Sequence, residues 1–132
     1  MVNKIIYELP MFSTLLDSPP KIDFVKGDVL ISLSGYDADE HFHSIILKFH
    51  SVFEFAKTYS NFASSVEAYD KVVELTDSKR IIELKSRNKI LFESLTLKAP
   101  IKHFSLFLDS YDIYNIICLH CEVIDDRLRE IE

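Results

Sequence analysis

The chain has 132 residues, of which 48% are hydrophobic and 12% aromatic, which is too apolar for a disordered segment and long enough for one domain with a solid core. A formal net charge of -6 with no basic stripe argues against nucleic acid, whose affinity comes from Lys and Arg neutralising phosphates, and leaves basic protein surfaces as the complementary partner. Two glycines in the whole chain exclude a phosphate-cradling loop.

The N-terminus meets Glu8 and Pro10 before an apolar run long enough for a signal peptide, and no stretch approaches the ~20 apolar residues a membrane span needs. A cytoplasmic protein without membrane association is expected. Lys4–Leu9 reads as a strand, and Met11–Leu16 as a helical turn or irregular segment closed by Pro19-Pro20. Lys21–Val25 and Val29–Ser34 form a predicted hairpin around Lys26-Gly27-Asp28, with Gly27 supplying a positive φ. Gly35 to Glu40 is a polar loop. From His43 to Lys57 alternation is sustained, Ile45, Leu47, Phe49, Phe53 and Phe55 opposing Lys48, His50 and Glu54, so one long half-buried strand is predicted.

Tyr59–Val66 is a Ser/Asn-rich connection, and Ala68–Leu75 alternates again, with Tyr69, Val73 and Leu75 against Asp70 and Glu74. Thr76-Asp77-Ser78 offers N-caps for a helix over Lys79–Ser86, while Asn88–Ala99 suits either a continued helix or a packed loop before Pro100. Two strands, Lys102–Leu108 and Ile113–Val123, flank the turn Asp109-Ser110-Tyr111-Asp112, and Ile124–Glu132 is a charged tail that frays or forms a short helix. The predicted architecture is a single domain over residues 1–132, α+β and mainly antiparallel. It comprises a five- to six-stranded curved sheet or partly closed barrel with one short helix packed on it.

Candidate chemistry is sparse. His41 with His43 and Cys118 with His120 each share a strand face at i, i+2, and four such ligands could hold a metal only if the pairs converged. Surface or hydrogen-bonded histidines and buried cysteines account for the same residues without a metal, structural zinc sites usually show tighter Cys-x₂₋₄-Cys spacing, and no metal or cofactor is expected. Cys118 and Cys121 sit at a strand offset that faces them apart, a poor disulfide geometry, and an apolar run around Cys118 argues against a reactive thiolate based by His103 or His120. Gly-x-Ser-x-Gly is absent and Ser34-Gly35 has no elbow context, so no catalytic residue is assigned.

Two loops pair an aromatic with carboxylates: Asp37, Asp39 and Glu40 follow Tyr36, and Asp109 and Asp112 flank Tyr111. Tyr ringed by charge is typical of binding hot spots, and acidic rims steer basic partners. Tyr36, Asp37, Asp39, Glu40, Tyr111 and Asp112 form the predicted partner-binding surface. A small-molecule-binding or enzymatic barrel, its interior lined by His50, His103, His120 and Cys118, is the alternative; a structural homo-oligomer is a third class.

Ala68-Tyr69-Asp70-Lys71-Val72-Val73-Glu74-Leu75, the adjoining Asp77-Ser78 and Glu83-Leu84, and His103-Phe104-Ser105-Leu106-Phe107-Leu108-Asp109 give the C-terminal half a pattern of strand, short helix and terminal hairpin. In this it resembles small bacterial proteins, some of them similar to immunity proteins of polymorphic-toxin systems. Relatives of that kind often carry Gly in the hairpin turn and Trp ahead of the Glu-Leu pair, where this chain has Tyr111 and Ile81 or Ile82. The resemblance implies a compact non-enzymatic protein that occupies a partner's surface, a basic toxin being one such partner, and brings no catalytic set.

Overall fold

The computed structural model describes residues 3–59, 68–97, 99–109 and 111–125. Within them lie strands β1 (Lys4–Glu8), β2 (Lys21–Val25), β3 (Asp28–Tyr36), β4 (Phe42–His50), β5 (Glu54–Thr58), β6 (Lys71–Glu74), β7 (Lys102–Leu108), β8 (Asp112–Cys118) and β9 (His120–Asp125). Helices α1 (Lys79–Arg87) and α2 (Lys89–Leu95) follow β6, and Ser13–Leu15 forms a 3-10 turn. The strands make two antiparallel sheets, one in the order β1-β6-β7-β8-β5 and the other β2-β3-β4-β9. The single curved sheet or partly closed barrel expected from the sequence is therefore corrected to two facing sheets with no closed barrel, carrying two short helices instead of one.

Two strands predicted as continuous are broken, and this accounts for the difference. His43–Lys57 divides at Ser51, whose φ of 55° turns the backbone out of extended geometry, so β4 and β5 belong to different sheets. Ile113–Val123 divides at Leu119, so that β8 and β9 likewise belong to different sheets. The two breaks face each other: the Leu119 amide donates to the His50 carbonyl (3.1 Å) and the Phe53 amide to the Ile117 carbonyl (2.8 Å). β4–β5 and β8–β9 are thus one long antiparallel ladder folded over at a shared corner, a recognised way for a sandwich to turn from one sheet to the other.

Alternation then fills the space between the sheets. Val29, Ile31 and Leu33 of β3 and Ile45, Leu47 and Phe49 of β4 meet Val72, Phe104, Leu106, Leu108, Tyr114 and Ile116, all buried, with Phe49 tilted against Phe104 at 6.0 Å. Each such side chain contributes roughly 1.5–3 kcal/mol. Phe53, predicted to join this face, lies past the corner and is exposed. Cys118 and Cys121, predicted to face apart, both face the core because Leu119 resets the alternation between them; both are free.

Local chemistry sets the remaining elements. Lys26 (φ 48°) and Gly27 (φ 86°) form the two left-handed residues of a type I′ hairpin joining β2 to β3. Ser78 caps α1 by accepting the Ile81 amide (3.2 Å), and Asn88 caps α2 by accepting that of Leu91 (3.0 Å), so that a second, separately capped helix over Lys89–Leu95 takes the place of a continued one. Of Ala68–Leu75 only Lys71–Glu74 is strand; Tyr69, expected inside, is exposed on a single bridge to Phe107. Most of the Tyr59–Val66 connection, Ser110 of the β7–β8 turn and the tail beyond Asp125 fall outside the described residues. No helix among the described residues is long and apolar enough to cross a membrane.

Gly35 is required for a reason unrelated to φ. A Cβ there would lie 2.6 Å from the Leu15 carbonyl oxygen and 2.8 Å from the Leu16 Cα, where the 3-10 segment bridges onto β3. Gly35→Ala is expected to lose roughly 2–3 kcal/mol in urea unfolding, because the obstruction is backbone. Gly27→Ala, left-handed but with open space around it, should lose only about 1 kcal/mol; equal losses would show that Leu15 and Leu16 yield freely.

Candidate functional site

Two regions gather polar and aromatic side chains. The first is the end of the sandwich at the β3–β4 loop. Asp37 accepts the backbone amides of Asp39 (2.8 Å) and His41 (3.0 Å) on one oxygen and His43 Nε2 (2.8 Å) on the other. The His43 hydrogen bond first, and the His41 amide next, lower its carboxyl to about 2. Asp37 is therefore the knot of the loop, with both oxygens turned inward. Asp39 and Glu40 are exposed, and Tyr36 is exposed with its ring edge-on to the equally exposed Phe42 at 5.3 Å.

The 3-10 segment ties this loop to the β7–β8 turn. The Phe12 amide donates to the Tyr36 carbonyl (3.2 Å), while Ser13 accepts the Asp109 amide on its hydroxyl (2.8 Å) and donates its own amide to Asp70 (3.2 Å). Tyr111 and Asp112 accordingly share this end with Tyr36, as a common surface requires, but they turn inward. Tyr111 packs on the core, and Asp112 is buried against Lys57 (3.2 Å) with its second oxygen unpartnered. Tyr69, whose hydroxyl donates to Asp109 (2.8 Å), and Phe12 are exposed here instead. Neither was singled out from the sequence, since their exposure depends on the crossing of the 3-10 segment.

The histidines and cysteines do not converge. His43 and His50 mark opposite ends of β4, about 20 Å apart at the rise of a strand, and His120 pairs with His50. His50 stacks on His120 (5.5 Å) and bonds Glu122 (2.9 Å), whereas Cys118 lies in the core. Burial pushes both thiols up to about 12, so neither is a thiolate near neutral pH. Asp37, Asp39 and His41 bring ligand-type atoms within 4.8 Å of one another, but the oxygens of Asp37 are already engaged.

The second region is an open cleft of about 550 Å³ on the outer face of the five-stranded sheet, below the start of α1. The Leu75 amide donates to the His103 carbonyl (2.8 Å), and Asp77 (φ 51°) reverses the chain so that Ser78 hangs over the His103 ring. Ser78 Oγ lies 2.6 Å from His103 Nδ1, and His103 Nε2 lies 2.8 Å from Asn115 Oδ1. Burial lowers the His103 pKa below its usual value, offset in part by Asn115 and by the charge of Glu54, so the ring is neutral near pH 7. A neutral ring facing the Asn115 oxygen carries its proton on Nε2 and offers Nδ1 to the Ser78 hydroxyl. Arg80 grips Glu54 with two nitrogens (2.7 and 2.6 Å) and reaches Glu83 (2.9 Å), which lowers the Glu54 carboxyl. In the sequence Ser78 registers as one of three cap candidates, and His103 as an interior residue or the base for a cysteine; its place on the outer face beside Ser78 follows from the β7–β8 register.

His103 links this cleft to stability. Its folded-state pKa lies below the unfolded value, so the unfolded chain binds the proton more readily, and the stabilisation present above about pH 6.5 is lost as pH falls. The drop in Tm between pH 7.5 and 5 should shrink in His103→Gln; an undiminished drop would move the dependence to another histidine. Comparison with protein-family models, curated proteins and solved structures finds no match to this chain.

Proposed function

We propose that this chain is a protein-binding module, immunity-like in its mode of action, that captures a basic partner by surface complementarity at the β3–β4 end of the sandwich. The supporting observation is the exposed Tyr36–Phe42 pair beside Asp39 and Glu40, on a loop held in shape by Asp37. Rigid aromatics supply contact area at little entropic cost, and flanking carboxylates steer a cationic surface. Asp37 serves by positioning its neighbours, and Tyr111 and Asp112 by supporting the adjoining turn. Among the described residues, the facing side chains of the two sheets form one buried apolar cluster, which supports the surface over the interior as the place of action.

The test measures affinity for the purified products of the adjacent reading frames, foremost a basic toxin-like protein. Tyr36→Ala is expected to cost about 2 kcal/mol, roughly thirtyfold in Kd. Asp39→Asn with Glu40→Gln should slow association and flatten its salt dependence with Tm unchanged, whereas Asp112→Asn should alter Tm and leave the salt dependence intact. Wild-type affinity in both loop variants would dispose of this surface.

A further inference from the structure

We propose that Ser78 is an activated nucleophile and that Ser78, His103 and Asn115 form an acyl-transfer site for small carboxylic esters on the floor of the outer-face cleft. This goes beyond partner binding and uses a different part of the molecule. Capping α1 requires only that Ser78 Oγ accept the Ile81 amide, which it does at 3.2 Å. The proton of that hydroxyl has a separate destination, His103 Nδ1 at 2.6 Å, on a ring whose other nitrogen is anchored by Asn115 at 2.8 Å. A hydroxyl, an imidazole lone pair and an orienting group in one chain of hydrogen bonds are the parts an activated serine needs.

The surroundings suit the charges such a reaction develops. Glu54 favours the protonated ring electrostatically, and Arg80 keeps Glu54 ionised, so an imidazolium formed on His103 has a counter-charge in place. The first amides of α1, those of Lys79 and Arg80, have no intrahelical acceptor, and they lie at the positive end of the helix beside Ser78. An oxyanion forming on a carbonyl attacked by Ser78 would meet them. The cleft is open to solvent.

In the step itself, Ser78 Oγ adds to the ester carbonyl carbon as its proton passes to His103 Nδ1. Collapse of the tetrahedral adduct breaks the bond to the alkoxy oxygen, which leaves as the alcohol carrying that proton. Water, deprotonated by His103, then releases the carboxylic acid from the acylated Ser78 and restores the hydroxyl.

Treatment of the folded chain with a fluorophosphonate, followed by intact-mass and peptide analysis, tests the site. One adduct on Ser78 is expected, together with p-nitrophenyl acetate hydrolysis above the buffer rate. Both should vanish in Ser78→Asn, which keeps a capping oxygen, and hydrolysis should fall roughly 10²–10⁴-fold in His103→Gln. No adduct on Ser78 in the folded wild-type chain, or hydrolysis unchanged in Ser78→Asn, would overturn the proposal. The wild-type labelling decides without any variant, and neither result bears on the β3–β4 surface.

Discussion

The architecture depends on one corner. Where Ser51 and Leu119 break their strands, the amides of Leu119 and Phe53 keep the β4–β5 and β8–β9 ladders bonded through the bend, so the backbone passes between sheets with its hydrogen bonding maintained. An open sheet with Ile45, Leu47 and Phe49 on one face would leave that face wet. Folded over, the same ladder sets them against Phe104, Leu106 and Ile116. The sandwich is a ladder closed on itself, and its other strands extend the two halves.

The remaining ties act at the opposite end. The 3-10 segment holds both sheets through Phe12 and Ser13, and Gly35 lets Leu15 and Leu16 lie directly on β3. This is why the β3–β4 loop and the β7–β8 turn lie side by side although they belong to different sheets. The outer face of the five-stranded sheet is covered in part by α1 and α2, which bury none of their residues fully, and the cleft lies where α1 begins.

Much of this was legible in particular residues. Alternation in Ile45, Leu47 and Phe49 identifies the core face, Lys26-Gly27-Asp28 the hairpin, Thr76-Asp77-Ser78 the stretch that caps the helix, and Tyr36 with Asp39 and Glu40 an exposed loop. The breaks were not legible, because apolar residues continue at even spacing through Phe49, Phe53 and Phe55, and Ser51 adopts a left-handed φ with no glycine to announce it. Asp112 looked like a turn acid, yet it opens β8 opposite Leu108 and is buried there. The relation of Ser78, His103 and Asn115 required the β7–β8 register and the reversal at Asp77, neither of which is written in local composition.

The corner also governs the order in which the molecule can be made. β4 and β5 emerge during vectorial synthesis long before β8 and β9, the strands that must fold over with them, and only the β2–β3–β4 meander can pair locally in the interval. Ile45, Leu47 and Phe49 therefore await a lid from far along the chain, the kind of distant pairing that slows folding and prolongs exposure of sticky surface. A nascent chain halted before β7 would present that unlidded face to chaperones as a half-sandwich.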